Sequence, residues 1–236
     1  MLTDKKLEAL ILHLCIILLL LTTAWIVLMI LSMRDYGLID SMQDALVFVM
    51  NADWVFYLNY INAAIITIAT TLLFSMLYLY FRQQCPVLSM CAIVFVPVYA
   101  AYNLFSYTSQ ISIVQQIQVV YDNTQYADQI PLLLSQLVQA WNHSSVAFIN
   151  HFAYAVLGIP SVCFGIALIR EPVTSRIAGW FLILNGIACF IGIIGIMCQN
   201  IVFSMGSAVG GVLYLIFLLF MIFSFYKKRQ DVSAQT

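Results

Sequence analysis

Charge is what this 236-residue sequence has least of: nine Lys or Arg and ten Asp or Glu make up only 8% of the chain. So little polar surface cannot cover a soluble domain of this length when 64% of residues are hydrophobic and the mean hydropathy is +1.00. The surrounding medium must be lipid, and the bilayer is the first partner. Further absences narrow the chemistry. No Asp or Glu sits in the interior of an apolar run, so the usual carboxylate proton relay has no carrier, and no Lys is placed there for a Schiff base. There is no GxxxxGK[ST], no HExxH and no GxSxG. The six cysteines, at 15, 85, 91, 163, 189 and 198, contain no CxxC, and only Cys198 lies near the side read below as external, which excludes a disulfide or redox pair there. No cofactor, metal or nucleic-acid partner is expected.

What the sequence has in abundance is long apolar runs. Six of them, near 8–33, 55–81, 87–109, 146–169, 177–197 and 201–226, reach the roughly 20 residues that a helix needs to cross a bilayer. They lack the alternation of barrel strands, and in hydrocarbon every backbone group must be bonded internally, so helices are implied. The expectation is an all-α, polytopic six-helix bundle forming a single transmembrane domain over 1–236, with outer segments 34–54 and 110–145. Lys5, Lys6, Arg82, Arg170, Arg176, Lys227, Lys228 and Arg229 fall on one side and only Arg34 on the other, so both termini read as cytoplasmic. Asp35, Asp40, Asp44, Asp53, Asp122 and Asp128 gather on the opposite, outer side. The first run is too long for a signal peptide and no small-x-small site follows it, so it reads as a retained anchor.

Both outer segments carry helical periodicity. In the first, Ile39, Met42, Leu46, Val49 and Met50 recur at helical spacing after an apparent Asp40–Gln43 capping box. This predicts a helix that lies on the membrane or packs over the bundle. In the second, Ile130, Leu133, Leu134, Leu137, Val138 and Trp141 define an amphipathic helix that Pro131 helps to start. Trp54 and Trp141 occupy equivalent places after them. Asn62 and Arg82 stand twenty residues apart, as do Asn150 and Arg170, at an offset of 88. The unit of span, outer helix, Trp, Asn-bearing span and cytoplasmic Arg thus occurs twice, suggesting an internal duplication.

Polar residues concentrate in the outer halves of three spans. Asn59 and Asn62 share a face of the second. Tyr99, Asn103, Tyr107 and Gln110 form a stripe on the third, just beyond Pro97, which is expected to kink it. Asn150 and His151 open the fourth, which Pro160 should bend. A buried amide in lipid needs a partner, so each of these is either an interhelical clasp or a pocket wall. The clustering favours a pocket: Asn59, Asn62, Tyr99, Asn103, Tyr107, Asn150 and His151 are expected to line an outward-facing site for a small neutral or cationic molecule or a lipid headgroup, serving transport or sensing. Two other readings compete. One is a structural or regulatory membrane subunit; the other is an intramembrane lipid-modifying enzyme with His151 as general base beside a Tyr or Ser. Gly206-x-x-x-Gly210 on the sixth span reads as packing within the chain.

The order of these features, with V-P-V-Y-A-A-Y-N at 96–103 and G-I-A-L-I-R-E-P-V-T-S-R-I-A-G-W-F-L-I-L-N-G at 165–186, resembles the bacterial membrane family catalogued as domain of unknown function four-three-eight-six, over nearly the whole chain. The resemblance implies an inner-membrane bundle of six or seven helices and brings no activity with it.

Overall fold

Each apolar run folds as a helix, and where a helix starts or stops follows from which local group satisfies its end. The computed structural model describes residues 4–34, 39, 41–121 and 129–233. Asp35, Asp40, Asp122 and Asp128 lie outside the described residues, as do the side chains of Ile130, Leu134 and Arg229. Among those described, the elements are α1 (Asp4–Met33), α2 (Met42–Met50), α3 (Trp54–Phe81), α4 (Pro86–Tyr121), α5 (Ile130–Leu137), α6 (Ser145–Ile169), α7 (Val173–Met197), α8 (Ile201–Ser204) and α9 (Gly206–Ser233), with no strand. Six helical stretches are long and apolar enough to span a membrane: Lys5–Met33, Trp54–Phe81, Pro86–Gln116, Ser145–Ile169, Thr174–Met197 and Ile201–Lys228.

The long helices close a ring in which α1 packs on α3, α3 on α4, α4 on α6, α6 on α7, α7 on α9 and α9 back on α1. Lys228 Nζ lies 2.6 Å from Glu8 Oε1 and donates to the Tyr80 hydroxyl at 3.2 Å, so the start of α1, the end of α3 and the end of α9 lie on one side. The main core, centred on Phe74, Phe81, Phe164, Leu182 and Phe217, fills the ring. A second, outer core joins α2, α3 and α4 through Phe48, Val49, Phe56, Tyr60, Tyr107 and Val114. Helix α2 therefore turns its apolar face onto the bundle. The order of long, short and long helix occurs twice, as α1–α2–α3 and α4–α5–α6, with the long pair in contact in each case.

Four boundaries depart from the sequence expectation. The capping box of α2 is Ser41 with Asp44, not Asp40 with Gln43: the Asp44 amide donates to Ser41 Oγ at 3.1 Å and the Ser41 amide to Asp44 Oδ2 at 3.0 Å. Helix α4 runs on to Tyr121 instead of ending at 109, because residues 110–121 contain no Gly or Pro to stop it and Val114 buries in the outer core. Helix α5 ends at Leu137, short of Trp141. There Gln110 acts as a cap from α4, its Nε2 donating to the Leu137 carbonyl at 2.7 Å and its Oε1 accepting from the Gln139 amide at 3.1 Å. The sixth span breaks at Met205 into α8 and α9. By contrast, α4 and α6 continue as helices through Pro97 and Pro160.

The α7–α8 hairpin turns on Gln199, whose φ of 52° is left-handed. The Asn200 amide reaches the Gly195 carbonyl at 2.8 Å and the Gln199 amide reaches Ile196 at 3.1 Å, the bond pair of a Schellman stop. A glycine usually occupies that position, since a Cβ disfavours it. Gln199→Gly is expected to stabilise the protein slightly, by about 0.5 kcal/mol, and Gln199→Val to destabilise it by about 1 kcal/mol or more. Thermal melts of the two variants in one detergent read the difference.

Candidate functional site

The polar stripe on α4 faces inward. Tyr99, Asn103, Tyr107 and Gln110 are all buried, because an amide or phenol turned toward lipid would lose its hydrogen bonds. Asn103 is the hub. Its Nδ2 donates to Thr67 Oγ1 on α3 at 2.9 Å and to the Tyr99 hydroxyl at 3.2 Å, while its Oδ1 accepts from Asn150 Nδ2 on α6 at 2.8 Å. Asn150 Oδ1 in turn accepts from Gln139 Nε2 at 3.1 Å, which ties the network to the outer loop after α5. The Tyr107 and Tyr154 hydroxyls meet at 2.6 Å. The start of α6, which sets Asn150 in place, is fixed by Ser144, whose buried Oγ accepts from the Ala147 amide at 2.9 Å.

Of the seven candidate residues read from the sequence, four thus belong to one neutral network and three stand apart. Asn62 is a clasp: its Nδ2 donates to the Leu21 carbonyl of α1 at 2.9 Å. His151 turns the other way, its Nδ1 lying 2.9 Å from Ser207 Oγ on α9. That hydroxyl is packed against Gly192 of α7, so closely that a methyl group on Gly192 would overlap it. A substrate has no approach to Ser207 from that side, and the pair joins α6 to α9. Asn59 is buried and its Oδ1 has no hydrogen-bond partner. Thr67, Gln139 and Tyr154 complete the network, and the sequence pattern does not mark them for it.

An outer cavity of about 280 Å³ opens where α1 ends and α3 begins. It is lined by Leu31, Ser32 and Arg34 from the end of α1, Phe48, Asn51 and Ala52 from α2 and the turn after it, and Asp53, Trp54, Val55 and Phe56 from the start of α3. None of the seven residues lines it. Val55 and Phe56 do lie one helical turn outward of Asn59 on α3, and Val55, Asn59 and Asn62 share a face. The α1–α3 seam is therefore latched at Leu21–Asn62, holds an unpaired amide oxygen at Asn59 and widens into the cavity above. Asp53 caps α3, its Oδ1 accepting from the Val55 and Phe56 amides at 2.9 and 3.1 Å. Another cavity, of about 130 Å³, lies beside the α7–α8 turn and is lined by His143, Gln199, Asn200 and Ser204 among others. Among the described residues, no group of three His, Cys, Asp or Glu is placed to hold a metal ion.

A family model described as Domain of unknown function (DUF4386) matches residues 14–225, which takes in α2 to α8 whole and most of α1 and α9. No curated protein and no solved structure matches the chain.

Proposed function

The chain belongs to the DUF4386 family, and from that premise of a multi-pass membrane protein we propose that it binds a small molecule with a polar head at the outer mouth of the α1–α3 seam, in a bacterial cytoplasmic membrane. One observation carries this reading: a cavity with mixed polar and aromatic walls stands one turn above Asn59, whose buried Oδ1 lacks a donor. An unpaired buried acceptor costs on the order of 1–3 kcal/mol, and a ligand or an ordered water that donates to it recovers that cost. Asn59 thus lies one helical turn below the residues that line the cavity, and Asn62 is the latch beneath it. The network of Tyr99, Asn103, Tyr107 and Asn150 is the rigid base that holds α3, α4 and α6 while the mouth accepts its ligand. Within the described spans the one carboxylate is Glu8, held by Lys228 at the inner end, so this reading of transport or sensing uses no carboxylate proton relay.

A structural role is the second reading, favoured by the way the Asn103 network satisfies itself. The two separate at Asn59. Asn59→Leu removes the unpaired oxygen, so it should leave the melting temperature of the ligand-free protein unchanged or raised, and abolish the stabilisation given by any ligand found in a thermal-shift panel of amines, sugars and lipids. A panel without hits, together with a destabilised Asn59→Leu, moves the assignment to the structural subunit.

A further inference from the structure

We infer that the cavity beside the α7–α8 turn is a binding site of its own and that it takes a small uncharged polyol of about the size of glycerol. It shares no lining residue with the cavity at the α1–α3 mouth, and the two sites are independent.

Segments far apart in sequence build this cavity. Asn142 and His143 come from the connection into α6, Gln199 and Asn200 from the hairpin turn, and Ile201 and Ser204 from α8. Their polar groups are available to a ligand. Among the described residues, Asn142, His143 and Gln199 make no side-chain hydrogen bond, and Asn200 commits only its Oδ1, which accepts from the Val202 and Phe203 amides at 3.1 Å each. That bond pair orients the Asn200 amide and leaves both Nδ2 protons to donate. Ser204 Oγ donates to the Ile201 carbonyl at 2.8 Å and keeps its capacity to accept. The His143 ring stands edge-on to Trp141, centroids 5.6 Å apart, and Trp141 packs against the outer core. Polar groups already held in place lose less freedom when a ligand arrives.

The chemistry of the lining selects the ligand. Every available group is an amide, an imidazole or a hydroxyl, so donors and acceptors are mixed, which suits a chain of hydroxyls that each do both. Among the described residues, no Lys, Arg, Asp or Glu lines the cavity. A charged ligand would shed water there without meeting a counter-charge, which disfavours phosphates, carboxylates and amines. Ile196 and Ile201 offer apolar surface to a carbon skeleton. Size agrees: the volume of about 130 Å³ approaches the roughly 150 Å³ that holds benzene, and glycerol has as many non-hydrogen atoms. Gln199 adds a separate sign. Its φ of 52° is one that glycine adopts at least cost, yet the position carries a long amide that lines the cavity. The turn needs no side chain there, whereas a ligand can use one.

The test is saturation-transfer NMR on the full-length protein in a non-ionic detergent, purified without glycerol. The probes are glycerol, acetamide, glycerol phosphate and ethanolamine. Glycerol is expected to bind saturably, acetamide more weakly, and the two charged probes least. Gln199→Gly, which keeps the turn, and His143→Phe, which keeps a ring against Trp141, should each weaken glycerol roughly fivefold, as for one lost hydrogen bond. Thermal melts report whether both variants fold. Asn59→Leu should leave glycerol binding unchanged. No saturable glycerol binding, or the wild-type affinity in both cavity variants, overturns the site. Acetamide tighter than glycerol overturns the polyol class, and a charged probe tighter than glycerol overturns the choice of an uncharged ligand. Loss of glycerol binding in Asn59→Leu assigns the polyol to the α1–α3 mouth and overturns the second site.

Discussion

Gly165→Ala is expected to lower the stability of the solubilised protein by on the order of 2–3 kcal/mol, while the same substitution at Gly211 leaves it unchanged or gains about 0.5–1 kcal/mol. Both residues are helical glycines, and both changes add one methyl group, so helix propensity pushes them in the same direction. Space separates them. A Cβ on Gly165 would lie 2.7 Å from the Gly179 carbonyl oxygen of α7 and 2.6 Å from Ile183 Cγ1, whereas one on Gly211 meets nothing within 4 Å. The carbonyl belongs to a neighbouring helix and cannot rotate away, so α6 and α7 must separate. In a membrane that separation is costly, because lipid tails are as apolar as side chains and helices hold together by close packing. Unfolding in graded SDS, followed by circular dichroism, measures both variants. Equal midpoints for the two would mean that α6 and α7 do not cross at the glycines.

Gly165 also shows how far the sequence reaches. The glycines of α6 and α7 are visible there as small residues, yet which glycine meets which follows only from the hairpin. Gly158 faces Gly186 and Gly165 faces Gly179, so the two contacts lie seven residues apart along each helix and both pairs are centred on Pro172 at the turn. That symmetry is present in the sequence, though it gains meaning only once the turn is fixed. The six spans, the shared face of Tyr99, Asn103, Tyr107 and Gln110 and the short hairpins were legible because lipid leaves the backbone no alternative to helix and a polar side chain no outward direction. The partners were not. Thr67 is an ordinary hydroxyl in an apolar helix and bonds its own Ala63 carbonyl at 3.0 Å, so nothing marks it as the acceptor for Asn103. Gln139 sits in a loop whose course depends on Gln110, 29 residues away. The cavity at the α1–α3 mouth has no periodic signal at all, since three separate elements contribute its walls.

Asn103→Leu should be the most damaging single substitution in the polar network, costing on the order of 2–3 kcal/mol, and Asn150→Leu introduced beside it should cost less than its own separate effect. Asn103 is 1% exposed and supplies three bonds, to Thr67, Tyr99 and Asn150. Leucine of similar volume removes all three and leaves the buried Asn150 Nδ2 donor without its acceptor, away from water. Thr67 loses less, because its hydroxyl keeps the Ala63 carbonyl. With Asn150 also leucine the stranded donor disappears. Gln139, half-buried at the outer loop, can then turn its amide to water, so the second substitution recovers part of the first. Coupling between paired polar side chains in membrane bundles averages about 0.6 kcal/mol and reaches about 1.7. A hub with three partners belongs at the upper end. The measurement is a double-mutant cycle on SDS unfolding midpoints, with Asn62→Leu as a third site expected to add independently, since its bond runs to Leu21 on the other side of α3. Additive behaviour of Asn103 and Asn150 would dissolve the network into unrelated contacts. A strong coupling would make the Asn103 hub a single unit that holds α3, α4 and α6 together.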